Sequence, residues 1–241
     1  MTNLDPTQTP RDGAPAELPA LPRRSILMLG VGLLAGCATS GSQTARMPSP
    51  LWPDPALFTQ KPRVPLPLPA APTLAGVIPR SAWTKGTPAV DNIDPMLPIH
   101  WITIHHDGMT PFLATDYASC AARIELIRNG HRGKGWADIG YHFIVDRSGR
   151  VWEGRDLRYQ GAHVKDQNEG NLGILCVGNF DHQMPSWAQL AALDRHLRVC
   201  MAKFKVKAAN VRSHQEWASA KTACPGRNLQ AKMGGIRRAI A

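Results

Sequence analysis

Ten prolines fall between residues 48 and 79, and they limit the fold of this chain more than any other feature. Proline holds φ near about −65° and has no backbone N–H, so a regular helix or central strand cannot run through such a stretch. Residues 38–79 are therefore expected to form a Pro-rich, extended tether. At about 3.1 Å per residue, the 32 residues from 48 to 79 would reach roughly 100 Å. The composition leaves open whether that reach is tuned or the stretch is a plain linker. Of the 241 residues, those from 80 to 241 remain to build a core. That length suits a single domain, and no internal repeat interrupts it.

Ahead of the tether, Arg23 and Arg24 precede an apolar run over residues 25–36. The run falls short of the about 20 residues that a bilayer span needs. A basic flank before a short apolar segment suits an export signal. The arginine pair and the glycines inside the run suggest the twin-arginine route, though an ordinary secretory signal accounts for the same residues. Leu34-Ala35-Gly36-Cys37 resembles a bacterial lipoprotein box, in which cleavage precedes the cysteine and its sulfur is lipidated. Residues 1–37 are accordingly expected to be an export signal ending at a lipid-anchored Cys37. Ala38 rather than Asp follows, which by resemblance to enteric lipoproteins implies outer-membrane sorting. The expected location is periplasmic, with the lipid in the outer membrane.

Within 80–241, strands are interspersed with helices. Residues 101–106 alternate, with Trp101, Thr103 and His105 on one face and Ile102, Ile104 and His106 on the other. Residues 115–129 carry Tyr117, Cys120, Ala121 and Ile124 at helical spacing, with Gly130 as the stop. Residues 141–145 and 151–154 read as a hairpin turned at 146–149, and 171–177 as a further strand. Residues 186–204 give the clearest helix: Ser186 and Gln189 form a capping box, and Leu190, Leu193, Leu197 and Phe204 line one face. A short helix near Ile236 closes the chain. This order predicts a single α/β domain, a central mixed β-sheet flanked by helices. Cys176 falls in an apolar run and reads as core. Cys120 and Cys200 both sit on apolar helix faces, and a disulfide between them is left open.

Three residues share a chemistry. His105 ends the apolar strand, while His214 and Cys224 lie in the polar stretch 214–226. Two imidazoles and one thiolate can hold zinc and leave a fourth position for water. His214 and Cys224 are too far apart for adjacent helix turns, so they are placed on a loop that folds back. Ligation would offset the entropy of ordering that loop. Taken singly, His105 also suits a core histidine and His214 a surface one.

Longer motifs then resemble one family. They include Ile78-Pro79-Arg80-Ser81-Ala82-Trp83, the strand ending in His105-His106, and Gly135-Trp136-Ala137-Asp138-Ile139-Gly140-Tyr141-His142-Phe143. Val151-Trp152-Glu153-Gly154-Arg155, Gly161-Ala162-His163, Val177-Gly178-Asn179-Phe180 and Thr222-Ala223-Cys224-Pro225-Gly226 continue the series. In this order they resemble the zinc amidases shared by phage amidase-type lysozymes and peptidoglycan recognition proteins. The similarity covers nearly all of residues 78–229. It implies hydrolysis of the amide between the lactyl group of N-acetylmuramic acid and L-alanine of the stem peptide.

The resemblance also implies roles. His105, rather than His106, maps to the first zinc ligand, and His214 and Cys224 to the other two. Tyr141 matches the family's catalytic tyrosine. Thr222 matches a position two residues before the cysteine, where a hydrogen bond to the tetrahedral intermediate is expected. Lys221 is read as a solvated neighbour. A glutamate used by related cytosolic amidases maps to Leu175, so that variant of the mechanism does not fit. Glu153 is read as structural before catalytic. His163 is left evenly between substrate contact and support of the metal site. Gly135, Trp136 and Arg155 match the arrangement that favours meso-diaminopimelate stems, since a guanidinium can bind a carboxylate through two parallel bonds. The competing role for Arg155 is to brace its turn.

The expected ligands are therefore Zn2+ and peptidoglycan, acting on a monomer anchored to a membrane by its lipid. A non-catalytic peptidoglycan-binding lipoprotein is the main alternative. The formal charge of +10 would also attract nucleic acid, but the basic residues are scattered and no nucleic-acid motif appears.

Overall fold

The computed structural model describes residues 74–241. The expected signal, Cys37 and the tether up to residue 73 lie outside the described residues. Six strands form one sheet: β1 (Val77–Ile78), β2 (Trp101–His106), β3 (Phe143–Val145), β4 (Val151–Glu153), β5 (Asn171–Cys176) and β6 (Val211–Ser213). Their spatial order is β1-β4-β3-β5-β2-β6. Strands β3, β5, β2 and β6 run parallel, while β4 is antiparallel to β3 and parallel to β1. Three α-helices complete the fold among the described residues: α1 (Tyr117–Gly133), α2 (Trp187–Phe204) and α3 (Arg227–Ile240). The expected mixed sheet flanked by helices is thus what the chain forms.

Alternation along the strands sorts the core onto two faces. Ile102 and Ile104 of β2, Phe143 and Val145 of β3, and Leu172 and Ile174 of β5 pack with Leu193 and Leu197 of α2 and Leu229 and Met233 of α3. Ile144, Trp152 and Leu175 face the other way and meet Cys120, Ile124 and Ile127 of α1. The register pairs Thr103 with Gly173 and His105 with Leu175, so His105 lies on the α1 face at the carboxyl end of β2. Ligand sites favour this edge in parallel sheets, because the loops that follow the strands converge there.

Several boundaries differ from expectation. Gly130 does not stop α1, which runs to Gly133 with Asp116 as its N-cap. The extra turn is held by its own side chains: His131 accepts from Gly140 N, and Arg132 donates to the carbonyls of Trp136 and Ala137. Ser186 caps α2 as expected, accepting from Gln189 N. The reciprocal half of that box is absent, because the Gln189 amide is drawn to Val145 O and Val177 O across the sheet. The closing helix is longer than expected, at 14 residues. The sheet also begins inside the stretch assigned to the tether, since Val77 and Ile78 pair with β4 and Leu74 is buried. Cys120 and Cys200 are free thiols belonging to opposite faces of the sheet, so the disulfide left open between them does not form.

Candidate metal centre

The ends of β2 and β6 deliver the histidines, and the loop before α3 delivers the cysteine. His214 follows directly on β6, in a 3-10 turn (His214–Glu216). Glu216 closes this turn by accepting from Ser213 N at 2.9 Å, the acidic half of a capping box. Glu216 is anchored in turn by Arg237 of α3 at 2.8 Å. The Cys224 loop is tied back by Gln215 N to Cys224 O. Its amide donates to Thr222 Oγ1 at 3.1 Å, and its sulfur accepts from His106 N at 3.4 Å.

One ligand atom from each of His105, His214 and Cys224 lies within 4.8 Å of the others. Cys224 Sγ is 3.6 Å from His105 Nδ1. Zinc bonds of about 2.3 Å to sulfur and about 2.0–2.1 Å to nitrogen, set tetrahedrally, place two such atoms roughly 3.6 Å apart. The donor set and the spacing therefore fit a zinc ion. Burial holds His105 well below the usual imidazole range, so its lone pair is available. Burial also pushes the Cys224 thiol up to about 12, so a cation is what would draw it into the thiolate form.

His106, its chain neighbour, faces the other side. Its Nδ1 accepts from Phe180 N at 3.1 Å, a structural bond. Asp107 then locks the strand end. Its carboxylate takes two bonds from Arg123 of α1, at 2.9 and 3.1 Å, and a third from Gly178 N.

Rings extend the site away from the triad. Tyr141 lies 5.0 Å from His105, 5.6 Å from His131 and 6.3 Å from His163 by ring centroids. His131 in turn packs on Trp136 at 4.6 Å. Among the described residues, the Tyr141 hydroxyl makes no hydrogen bond, and burial keeps the phenol protonated. Beyond Trp136, a cleft of about 200 Å³ is lined by Gly135, Trp136, Arg155, Asp94, Gln160 and Gly161.

Other expected site residues divide. Arg155 is buried and donates to the carbonyls of Ile139, Gln160 and Asp138, so it does brace the turn. Three of its five N–H groups are used, which leaves two for a ligand in the cleft it lines. His163 Nδ1 faces His105 Nε2 at 3.1 Å. Thr222 stands beside Cys224, and Lys221 is exposed. Glu153 accepts from Arg80 N, a structural task. Leu175, buried against α1, offers no carboxylate beside His105. His131 went unnoticed in the sequence. Extending the helical spacing of Ile124 and Ile127 by four residues would have put it on the sheet-facing side.

Comparisons with known proteins agree with this geometry. The family model for N-acetylmuramoyl-L-alanine amidase matches residues 95–227. A pig (Sus scrofa) protein named N-acetylmuramoyl-L-alanine amidase is 34% identical over 131 residues, 54% of this chain. The match spans only 22% of that relative's length. The endolysin of Escherichia phage T7 is 37% identical over 112 residues, 44% of this chain and 72% of the endolysin. A Drosophila PGRP-LB mutant solved in complex with tracheal cytotoxin superposes with a TM-score of 0.60 and 25% identity, covering 67% of this chain and 94% of the other.

Proposed function

Because this chain belongs to the N-acetylmuramoyl-L-alanine amidase family, we propose that it is a zinc hydrolase cleaving the bond between N-acetylmuramic acid and L-alanine in peptidoglycan. The observation that carries this reading is the convergence of His105, His214 and Cys224 beside the Tyr141 ring. A structural zinc site needs four protein ligands and no phenol beside it.

His105, His214 and Cys224 would hold the ion. When bound, zinc would polarise the amide carbonyl and lower the pKa of a water toward neutrality. Tyr141 would donate a hydrogen bond to the oxygen on which charge develops, from a hydroxyl that no partner among the described residues engages. Thr222 holds the Cys224 amide and shapes the loop that presents the thiolate. Its hydroxyl proton remains available to the substrate oxygen. The ring series from His105 through Tyr141 and His131 to Trp136 forms a wall along which the stem peptide lies. Arg155 and the Gly135-Trp136 backbone line the cleft at its end, where the extra carboxylate of meso-diaminopimelate would sit.

The same reading takes residues 1–37 as an export signal, Cys37 as a lipid anchor and the stretch from 38 up to the folded domain, which includes Leu74, as the tether. The sequence motifs support it. The domain would then act as a monomer in the periplasm, held to the outer membrane.

Turnover separates this function from a peptidoglycan receptor. Incubated with purified peptidoglycan, the full chain is expected to release soluble stem peptides that begin with L-alanine. Retention on the wall with no peptide released would leave only the receptor.

A further inference from the structure

His163 is not one of the three converging residues, yet both of its ring nitrogens are committed. Nε2 lies 3.1 Å from the backbone carbonyl of Asn171, and Nδ1 lies 3.1 Å from His105 Nε2. A carbonyl oxygen only accepts, so His163 Nε2 carries the proton. In a neutral imidazole the other nitrogen is then an acceptor. His163 Nδ1 must therefore receive Nε2–H of His105. That leaves the lone pair of His105 on Nδ1, the atom 3.6 Å from Cys224 Sγ.

The surroundings hold this order in place. Asn171, whose carbonyl starts the series, donates through its side chain to Gln167 O at 2.7 Å and accepts from Thr103 Oγ1 at 2.9 Å. Thr103 Oγ1 accepts in turn from Trp217 Nε1 at 3.0 Å. His163 N donates to Asn168 Oδ1 at 2.9 Å. Two glycines leave room for the ring. A Cβ on Gly173 would stand 2.6 Å from His163 Cδ2, and one on Gly161 would overlap the same edge. Gly173 lies on β5, opposite Thr103, so the sheet itself is opened for an imidazole.

We infer that His163 is a positioning residue, which holds His105 in its Nε2–H tautomer and presents Nδ1 to the metal. The inference rests on the triad being a zinc site. The carbonyl of Asn171 would set the metal-binding face of an imidazole two bonds away.

Three variants of the full chain test it. His163→Ala removes the acceptor. His163→Gln keeps one donor and one acceptor at similar spacing. Gly173→Ala leaves every polar group but crowds the ring. Zinc affinity by chelator competition and the ring ¹⁵N shifts of His105 in metal-free protein are the readouts, and neither needs turnover. His163→Ala should weaken zinc by about 10–100-fold and lose the Nε2–H signature. His163→Gln should recover most of the affinity, and Gly173→Ala should fall between. Unchanged affinity and an unchanged His105 tautomer in His163→Ala would overturn the inference while leaving the zinc site intact. Failure of the parent chain to bind zinc would instead defeat the zinc reading, and the ¹⁵N shifts would still decide the hydrogen-bond order. Should His163→Ala not fold, equal affinity in the other two variants and the parent counts against the inference.

Discussion

Two adjacent histidines end β2, and the pleat alone gives them different chemistry. His105 faces the α1 side with Thr103, while His106 turns to Phe180. That distinction was legible, because period-two alternation needs only the residue types of a six-residue strand. The tasks of His163 and Arg155 were each left between two roles. Both depend on backbone carbonyls, those of Asn171 and of Ile139, Asp138 and Gln160, and a carbonyl leaves no mark in a sequence. Tyr141→Phe keeps the ring packing and removes one hydroxyl. It should lower stem-peptide release by about 10²–10³-fold with zinc affinity unchanged, measured by product assay and chelator competition. Full release by the phenylalanine variant would remove Tyr141 from the chemistry. Arg155→Ala leaves buried carbonyls without a donor, so it should cost at least about 2 kcal/mol in denaturant unfolding. Corrected for the folded fraction, activity should fall more on diaminopimelate stems than on lysine stems. An equal loss on both would reduce Arg155 to a brace.

The elements of the fold differ in how they announce themselves. β2 and α2 have long, regular apolar patterns, and their bounds match expectation closely. β6 has three residues, too few for alternation to register, and His214 follows it at once. The sequence reading therefore placed His214 on a loop, whereas a strand and a capped turn hold it. That turn depends on Glu216, which binds Ser213 N, Gln230 and Arg237. Glu216→Ala should cost about 1–2 kcal/mol of stability and weaken zinc binding through the freed turn. Thermal unfolding and zinc titration on one preparation would show both effects. A stability loss with zinc affinity untouched would mean that β6 alone positions His214. The extension of α1 beyond Gly130 teaches a related lesson. Glycine lowers helix propensity by only about 1 kcal/mol, and side-chain bonds from His131 and Arg132 outweigh it.

At the scale of the whole molecule, both faces of the sheet cover histidines, fully or in part, and hold them neutral. His131 and His142 on one side and His196 on the other are each held at about 4, chiefly by burial. An unfolded imidazole titrates near 6.5. Between those values the unfolded chain binds protons that the folded chain refuses. Stability should therefore fall as pH drops from about 6.5 toward 4, by up to about 1.4 kcal/mol per pH unit for each such histidine. In metal-free protein, His196→Gln should flatten that slope by about one proton, and an unaltered slope would place its titration elsewhere. The α/β class and the sheet flanked by helices could both be read before any coordinates. Each follows from patterns local to one segment. What joins segments, such as the ring series from His105 to Trp136, comes from β2 and the separate stretch 131–141 and exists only after folding. The central claim is that the triad makes this fold a zinc amidase. It is tested most directly by adding zinc stepwise to metal-free full chain and counting new L-alanine amino termini on peptidoglycan. The count should rise from background, level off at one zinc per chain and stay at background in His105→Ala. Full cleavage by the metal-free chain would contradict it.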